Sequence, residues 1–171
     1  MTGKDPLPAR LLTYFPKGAV GAALFELSAA GASDLDGRVL AVARIASSLA
    51  CGCPFCLDMN AATWKRAGLS QSELRLLLDG SDALAVLGAR EATAARFARA
   101  LSRTPILVDE ALKAALCEHF SPRERVILAT TISQVNYWSR LNQGLGVPSA
   151  GFFDQSVCPL PGSLPLDEGA R

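Results

Sequence analysis

Apolar positions along this chain recur mostly at the three-to-four-residue step of helices, and the alternation expected of strands is scarce. Residues 1–17 hold Pro6, Pro8 and Pro16 and read as an arm with a short helix at most. Ala19 to Ala30, rich in Ala and Leu, reads as a helix. Leu35 to Ala50 follows Ser33 and Asp34, either of which is a candidate N-cap. Its apolar set (Val39, Leu40, Val42, Ala43, Ile45, Ala46) runs nearly all round, which predicts a buried helix and suggests burial beyond one subunit. Cys51-Gly52-Cys53 breaks that helix, and Pro54 suits the first position of the next. This puts Cys53 at the N-cap and Cys56 in the first turn of a helix running to Arg66, with Gly68 as its closing glycine.

Further on, Ser70-Gln71-Ser72-Glu73 is a capping box flanked by Leu69 and Leu74 as a hydrophobic staple, opening a short helix that ends near Gly80. Glu91 to Leu101 continues the helical pattern until Pro105 stops it, and Asp109 to Phe120 forms another short amphipathic helix. Ser121-Pro122-Arg123-Glu124 is a second capping box, opening a long helix to about Gln143 that Gly144 closes. Pro148, Pro159, Pro161 and Pro165 mark an extended tail. The expected fold is all-α, a single-domain bundle of about seven helices: arm 1–17, helical domain 18–147, tail 148–171.

Composition narrows the function classes. Half of the 171 residues are apolar, and the mean hydropathy of +0.24 is high for a lone soluble domain, which favours a homo-oligomer. Seventeen basic against sixteen acidic residues leave a net charge of +1, with no basic stripe for phosphates, so no nucleic-acid partner is expected. No apolar run reaches the ~18 residues of a membrane span. Lys4 and Arg10 ahead of Gly18 to Phe25, with a small-residue stretch at Ala29 to Ala32, resemble a signal peptide. Pro16, Lys17 and Glu26 interrupt that pattern, and a helix is the better reading. A cytoplasmic chain is expected. There the odd count of five cysteines argues against a disulfide framework and turns attention to the one close pair.

That pair is Cys53-Pro54-Phe55-Cys56. On a helix, positions three apart are neighbours, with Cα atoms ~5–6 Å apart, within the range a disulfide accepts. The free N–H groups and partial positive charge of a helix N-terminus stabilise a thiolate. A thiolate attacks a peroxide or a disulfide, and a second thiol resolves the adduct. Two other readings stand beside this one: an inert buried pair, or half of a zinc site, for which the chain offers only scattered Cys51, Cys117, Cys158 and His119. Cys51 is also an alternative disulfide partner. His119, the single histidine, reads as a helix C-terminal surface residue. Asp58 points away from Cys56 and reads as a solvated carboxylate, while Tyr137, Trp138 and Phe152 read as core or interface aromatics. Cys117 reads as packing and Cys158, in the tail, as exposed.

The order of an apolar helix (Arg38 to Arg44), then Cys53-Pro-Phe-Cys56-Leu-Asp-Met-Asn-Ala-Ala62, then Arg66-Ala-Gly68-Leu-Ser70, resembles the carboxymuconolactone decarboxylase family in its alkylhydroperoxidase D-like branch. Arg103 to Pro105, the Asn142 to Gly146 helix end, Gly151-Phe152 and Cys158 to Pro161 extend the resemblance over about residues 33 to 161. It implies an all-helical fold, homo-oligomers and, often, thiol-dependent reduction of hydroperoxides; no metal or organic cofactor is expected, and a dithiol reductant is expected to restore the thiols. It further implies that Cys56 is the peroxidatic cysteine and Cys53 the resolving one. The family's proton relay is a histidine four residues after the second cysteine and a glutamate twelve before the first. Here those positions are Asn60, which cannot take a proton, and Ala41. Two rivals follow. One is a cofactor-free enzyme on a small acid or lactone, with Arg38, Arg44 and Arg140 as its candidate charges. The other is a non-catalytic oligomeric binding protein.

Overall fold

The computed structural model describes residues 7–30, 34–80 and 86–161. Residues 1–6 of the arm, the candidate cap Ser33 and residues 162–171 of the tail lie outside them. The described residues form eight helices and no strand: α1 (Leu7–Leu12), α2 (Pro16–Ala30), α3 (Gly37–Cys51), α4 (Pro54–Ala61), α5 (Gln71–Leu78), α6 (Ala89–Leu101), α7 (Glu110–His119) and α8 (Pro122–Gly144). The eighth, beyond the seven expected, is the short helix of the arm. No helix among the described residues is long and apolar enough to cross a membrane.

The start signals act as their chemistry requires. The Ser70 and Ser121 hydroxyls accept the backbone N–H three residues on, while Glu73 and Glu124 reach back to the N–H groups of Ser70 and Ser121. Leu69 and Leu74, bracketing the first box, are both buried. At α3 the cap is Asp36, not Ser33 or Asp34: its carboxylate accepts the Arg38 N–H at 2.8 Å. Asp34 instead pairs with Arg123 of α8.

Helix α3 is the centre of the fold, packed against α4, α5, α6 and α8. Val42, Ala43, Ile45 and Ala46 are completely buried. The cover this apolar helix needs is thus supplied within one chain; exposed apolar side chains are found elsewhere, among them Phe15, Val20, Leu24 and Leu27 on and beside α2 and Ile106 and Leu107 after α6. Truncating Ile45 to alanine would leave a cavity at the junction of the packed helices and cost ~2–5 kcal/mol.

Two segments depart from expectation. Helix α4 ends at Ala61, short of Arg66. There the Thr63 hydroxyl donates to the Asn60 carbonyl at 2.8 Å, an alternative to the helical ladder, and the chain continues in turns to Gly68. The tail, non-helical as expected over 148–161, is folded back onto the body, with Phe153, Cys158 and Leu160 buried. Its anchor is Asp58. This carboxylate is fully buried, not solvated. It accepts the backbone N–H groups of Ala150 (3.0 Å), Phe152 (3.0 Å) and Phe153 (2.7 Å). A buried charge persists only when so satisfied. Cys158 is therefore a buried thiol rather than an exposed one, and Cys117 is exposed rather than packed.

Candidate active site

The site begins at the junction of α3 and α4. Gly52 closes α3 in the left-handed conformation (φ 63°, ψ 32°), where a side chain is strained, and its N–H donates to Leu49 O. The next N–H, of Cys53, donates to Ser48 O at 3.3 Å. Cys53 then caps α4: its sulfur accepts the Cys56 N–H at 3.2 Å, and Pro54 fills the first helical position. The two Sγ atoms face each other 2.6 Å apart. Both are reduced and each is 1% exposed.

Helix α8 supplies the remaining neighbours of the sulfurs. Asn142 Nδ2 donates to Cys56 Sγ at 3.6 Å, and the Ser139 hydroxyl lies beside both sulfurs, easing their ionisation. Both residues are almost wholly buried. Neither was singled out from the sequence as chemistry-bearing, since they lie over eighty positions from the cysteines and only the packing of α4 on α8 brings them near.

The two thiols share a proton unequally. The hydrogen bond between them holds the Cys53 thiol down to about 7, against its burial, with the Cys56 and Phe55 backbone N–H groups helping. The same hydrogen bond pushes Cys56 up, and burial adds to it. The benefit of the helix N-terminus therefore goes to the capping Cys53, and Cys56 holds the proton.

Cys56 is the member of the pair that opens onto a cavity of about 370 Å³, within the size range of small-molecule sites. Phe55, Met59, Val135, Trp138 and Phe152 make its wall mostly apolar. Phe55 and Phe152 meet edge to face at 5.9 Å, so the Asp58 anchor also places one side of the cavity. Of the expected aromatics, Trp138 and Phe152 line this cavity, and Tyr137 packs edge to face between Trp138 and Phe25.

Asn60 also lines the cavity, but its side chain is engaged: Nδ2 donates to Ser48 Oγ and to Cys56 O, both at 2.9 Å. Ala41 is buried on α3. Among the three arginines, only Arg44 reaches the cavity, where it makes a long 3.5 Å bond to Gln134 Oε1. Arg38 is bound to Glu73, Glu91 and Gly68 O, and Arg140 is exposed. Glu26, on α2, reaches the cavity as well and accepts the Trp138 indole N–H. Cys51 hydrogen-bonds Asn136, and His119 is the last residue of α7. Among the described residues no group of three or more His, Cys, Asp and Glu gathers in a way that could hold a metal ion.

The model of the carboxymuconolactone decarboxylase family matches residues 18–100, a stretch that includes the thiol pair. A further relative is YnjA, an uncharacterised protein of Escherichia coli (strain K12), 30% identical over 124 residues; the chain spans 72% of itself and 64% of that relative's length in the match. Two solved structures share the helical fold. One is a protein of unknown function from Agrobacterium tumefaciens, proposed to be the antioxidant defence protein AhpD (TM-score 0.72, 21% identity, 81% of this chain and 94% of that one). The other is the debrominase Bmp8, an alanine variant of one cysteine in complex with 2,3,4-tribromopyrrole (TM-score 0.69, 18% identity, 79% of this chain and 72% of that one). At these identities the likeness concerns the helical fold.

Proposed function

We propose that this chain is a thiol-dependent reductase of organic hydroperoxides or disulfides, working through Cys56 and Cys53. The observation that carries the reading is that Cys56 lines an apolar cavity that Cys53 does not line, while the two sulfurs lie 2.6 Å apart. The Cys53 thiolate takes the proton of Cys56 across that short contact. The Cys56 thiolate then attacks the terminal oxygen of a hydroperoxide; the O–O bond breaks, the alkoxide leaves as the alcohol after protonation, and Cys56 becomes a sulfenic acid. Cys53 attacks the sulfenic sulfur and displaces water. The pair loses two electrons as the disulfide, and the hydroperoxide gains them as alcohol and water. An external dithiol returns the pair to its reduced form. In this scheme Cys53 does part of the work of the absent histidine, and Asn60 fixes the first turn of α4 rather than relaying protons.

The same reading takes the protein to be a cytoplasmic homo-oligomer, with the exposed apolar side chains of α2 as the surface to be covered. The test is mass spectrometry after differential alkylation. One equivalent of cumene hydroperoxide should link Cys53 to Cys56 reversibly, and Cys53→Ser should leave a dimedone-reactive sulfenic acid at Cys56. A disulfide to Cys51, Cys117 or Cys158 in its place, or no oxidation at all, would remove the proposal.

A further inference from the structure

The cavity wall beside Cys56 carries a buried polar atom that the helices leave unmatched. Asn142 is 2% exposed and lines the cavity. Its Nδ2 points at Cys56 Sγ, but its Oδ1 is buried with no hydrogen-bond partner among the described residues. An unsatisfied buried acceptor costs ~1–3 kcal/mol and is uncommon without a reason. A ligand that donates a hydrogen bond would supply the missing partner.

The stereochemistry narrows what that ligand is. In a hydroperoxide the proton sits on the terminal oxygen, and that same oxygen is the one a thiolate attacks. An amide in the cavity wall that offers its nitrogen to the sulfur has its oxygen left to accept this O–H while the sulfur approaches the oxygen bearing it. We infer that Asn142 is the substrate-positioning residue of this site, accepting the O–H of a hydroperoxide at Oδ1 and so selecting hydroperoxides over disulfides and dialkyl peroxides, which have no such donor. This rests on the thiol chemistry proposed above and chooses among its substrates. The rest of the wall provides the match for an organic group: Phe55, Met59, Val135, Trp138 and Phe152 present apolar surface where the carbon skeleton would lie.

The experiment compares two oxidants on one protein. Stopped-flow loss of free thiol is measured with cumene hydroperoxide and with a small aromatic disulfide, in native protein, Asn142→Leu and Asn142→Ala. Leucine keeps the volume and removes both polar atoms. The ratio of the hydroperoxide rate constant to the disulfide rate constant should fall about tenfold in both variants, the equivalent of one lost hydrogen bond to substrate. A purely structural role, or one confined to easing Cys56 ionisation, would slow both oxidants together and leave the ratio unchanged, and that result would overturn the inference.

A binding measurement needs no change at Asn142. In Cys56→Ser protein, quenching of tryptophan fluorescence should report tighter binding of cumene hydroperoxide than of cumyl methyl peroxide, which lacks the O–H. Equal affinity would equally overturn it. A native protein that reacts with neither oxidant refutes the underlying thiol reading as well, whereas a reactive native protein with an unchanged ratio refutes only the role of Asn142.

Discussion

Replacing Asp58 with asparagine should loosen the C-terminal segment and, with it, one wall of the cavity. The aspartate accepts three backbone N–H groups, Ala150 and Phe152 on Oδ2 and Phe153 on Oδ1. In Asp58→Asn one of those oxygens becomes a nitrogen that only donates, so at least one N–H must face another donor. If the amide oxygen takes the Oδ2 position, the buried Phe153 N–H loses its acceptor, at ~1–3 kcal/mol, and the two surviving bonds lose their charge assistance, ~1 kcal/mol each. The neutral amide is cheaper to bury than the carboxylate, which returns part of this. A net loss of ~2–4 kcal/mol remains, and at ~2–4 °C per kcal/mol for a chain of this size the midpoint of thermal unfolding should drop by ~5–15 °C.

Circular dichroism melts of native, Asp58→Asn and Asp154→Asn protein measure it, the last being an exposed control expected to move little. Because Phe152 meets Phe55 edge to face in the wall of the cavity that Cys56 lines, the reaction with cumene hydroperoxide should also weaken below the melting range. A midpoint within about 2 °C of native would show that the three bonds do not hold the segment, and the reasoning from buried charge would be wrong.

Three further outcomes are expected. With Cys53 held at about 7, hydroperoxide-dependent thiol loss should rise between pH 6 and pH 8 with a midpoint near 7, since a protonated Cys53 cannot take the Cys56 proton. Cys53→Ser should move that midpoint upward, and an unmoved midpoint would exclude Cys53 as the acceptor. Supplying the relay that the sequence lacks, by Asn60→His with Ala41→Glu, should speed the native reaction by ~10²-fold or more if the new base reaches Cys56; no gain in a folded double variant would mean that position 60 does not address the thiol. Light scattering at micromolar concentration should find an oligomer, and Leu24→Glu with Leu27→Glu, on the exposed face of α2, should break it down; a monomeric native protein would contradict the assembly.

Much of the fold was legible because its signals are local. The Ser70 and Ser121 boxes and the Cys53-Pro54 cap are short-range contacts between residues one turn apart, and each opens its helix where the pattern places it. Errors arose where a local signal had competitors or where the partner is distant. Asp36 lies nearer the first turn of α3 than Ser33 or Asp34 and takes the cap. The end of α4 is marked by i to i+3 turn bonds and by the Thr63 hydroxyl on the Asn60 carbonyl, which periodicity does not report. At the site, the pair itself could be read from its spacing, but its surroundings could not. Ser139, Asn142, Glu26 and Gln134 reach Cys56 or its cavity through helix packing, and periodicity gives the face of a helix without saying which other helix meets it. The burial of Asp58 is hidden from the sequence for the same reason: its partners lie more than ninety positions away in the chain.

The left-handed turn at Gly52 has a consequence for how reactivity responds to change. Only Gly52 separates the last residue of α3 from Cys53, and the Cys53 N–H is itself bonded to α3. The thiol pair is thus bolted to the central helix rather than carried on a loop, and the entropy of aligning the sulfurs is lost once, during folding, instead of in each reaction the proposed chemistry would require. Substitutions far from the thiols but in the packing of α3, at Ile45 on it or Leu128 on α8 for instance, would then register in the alignment of the sulfurs as well as in stability.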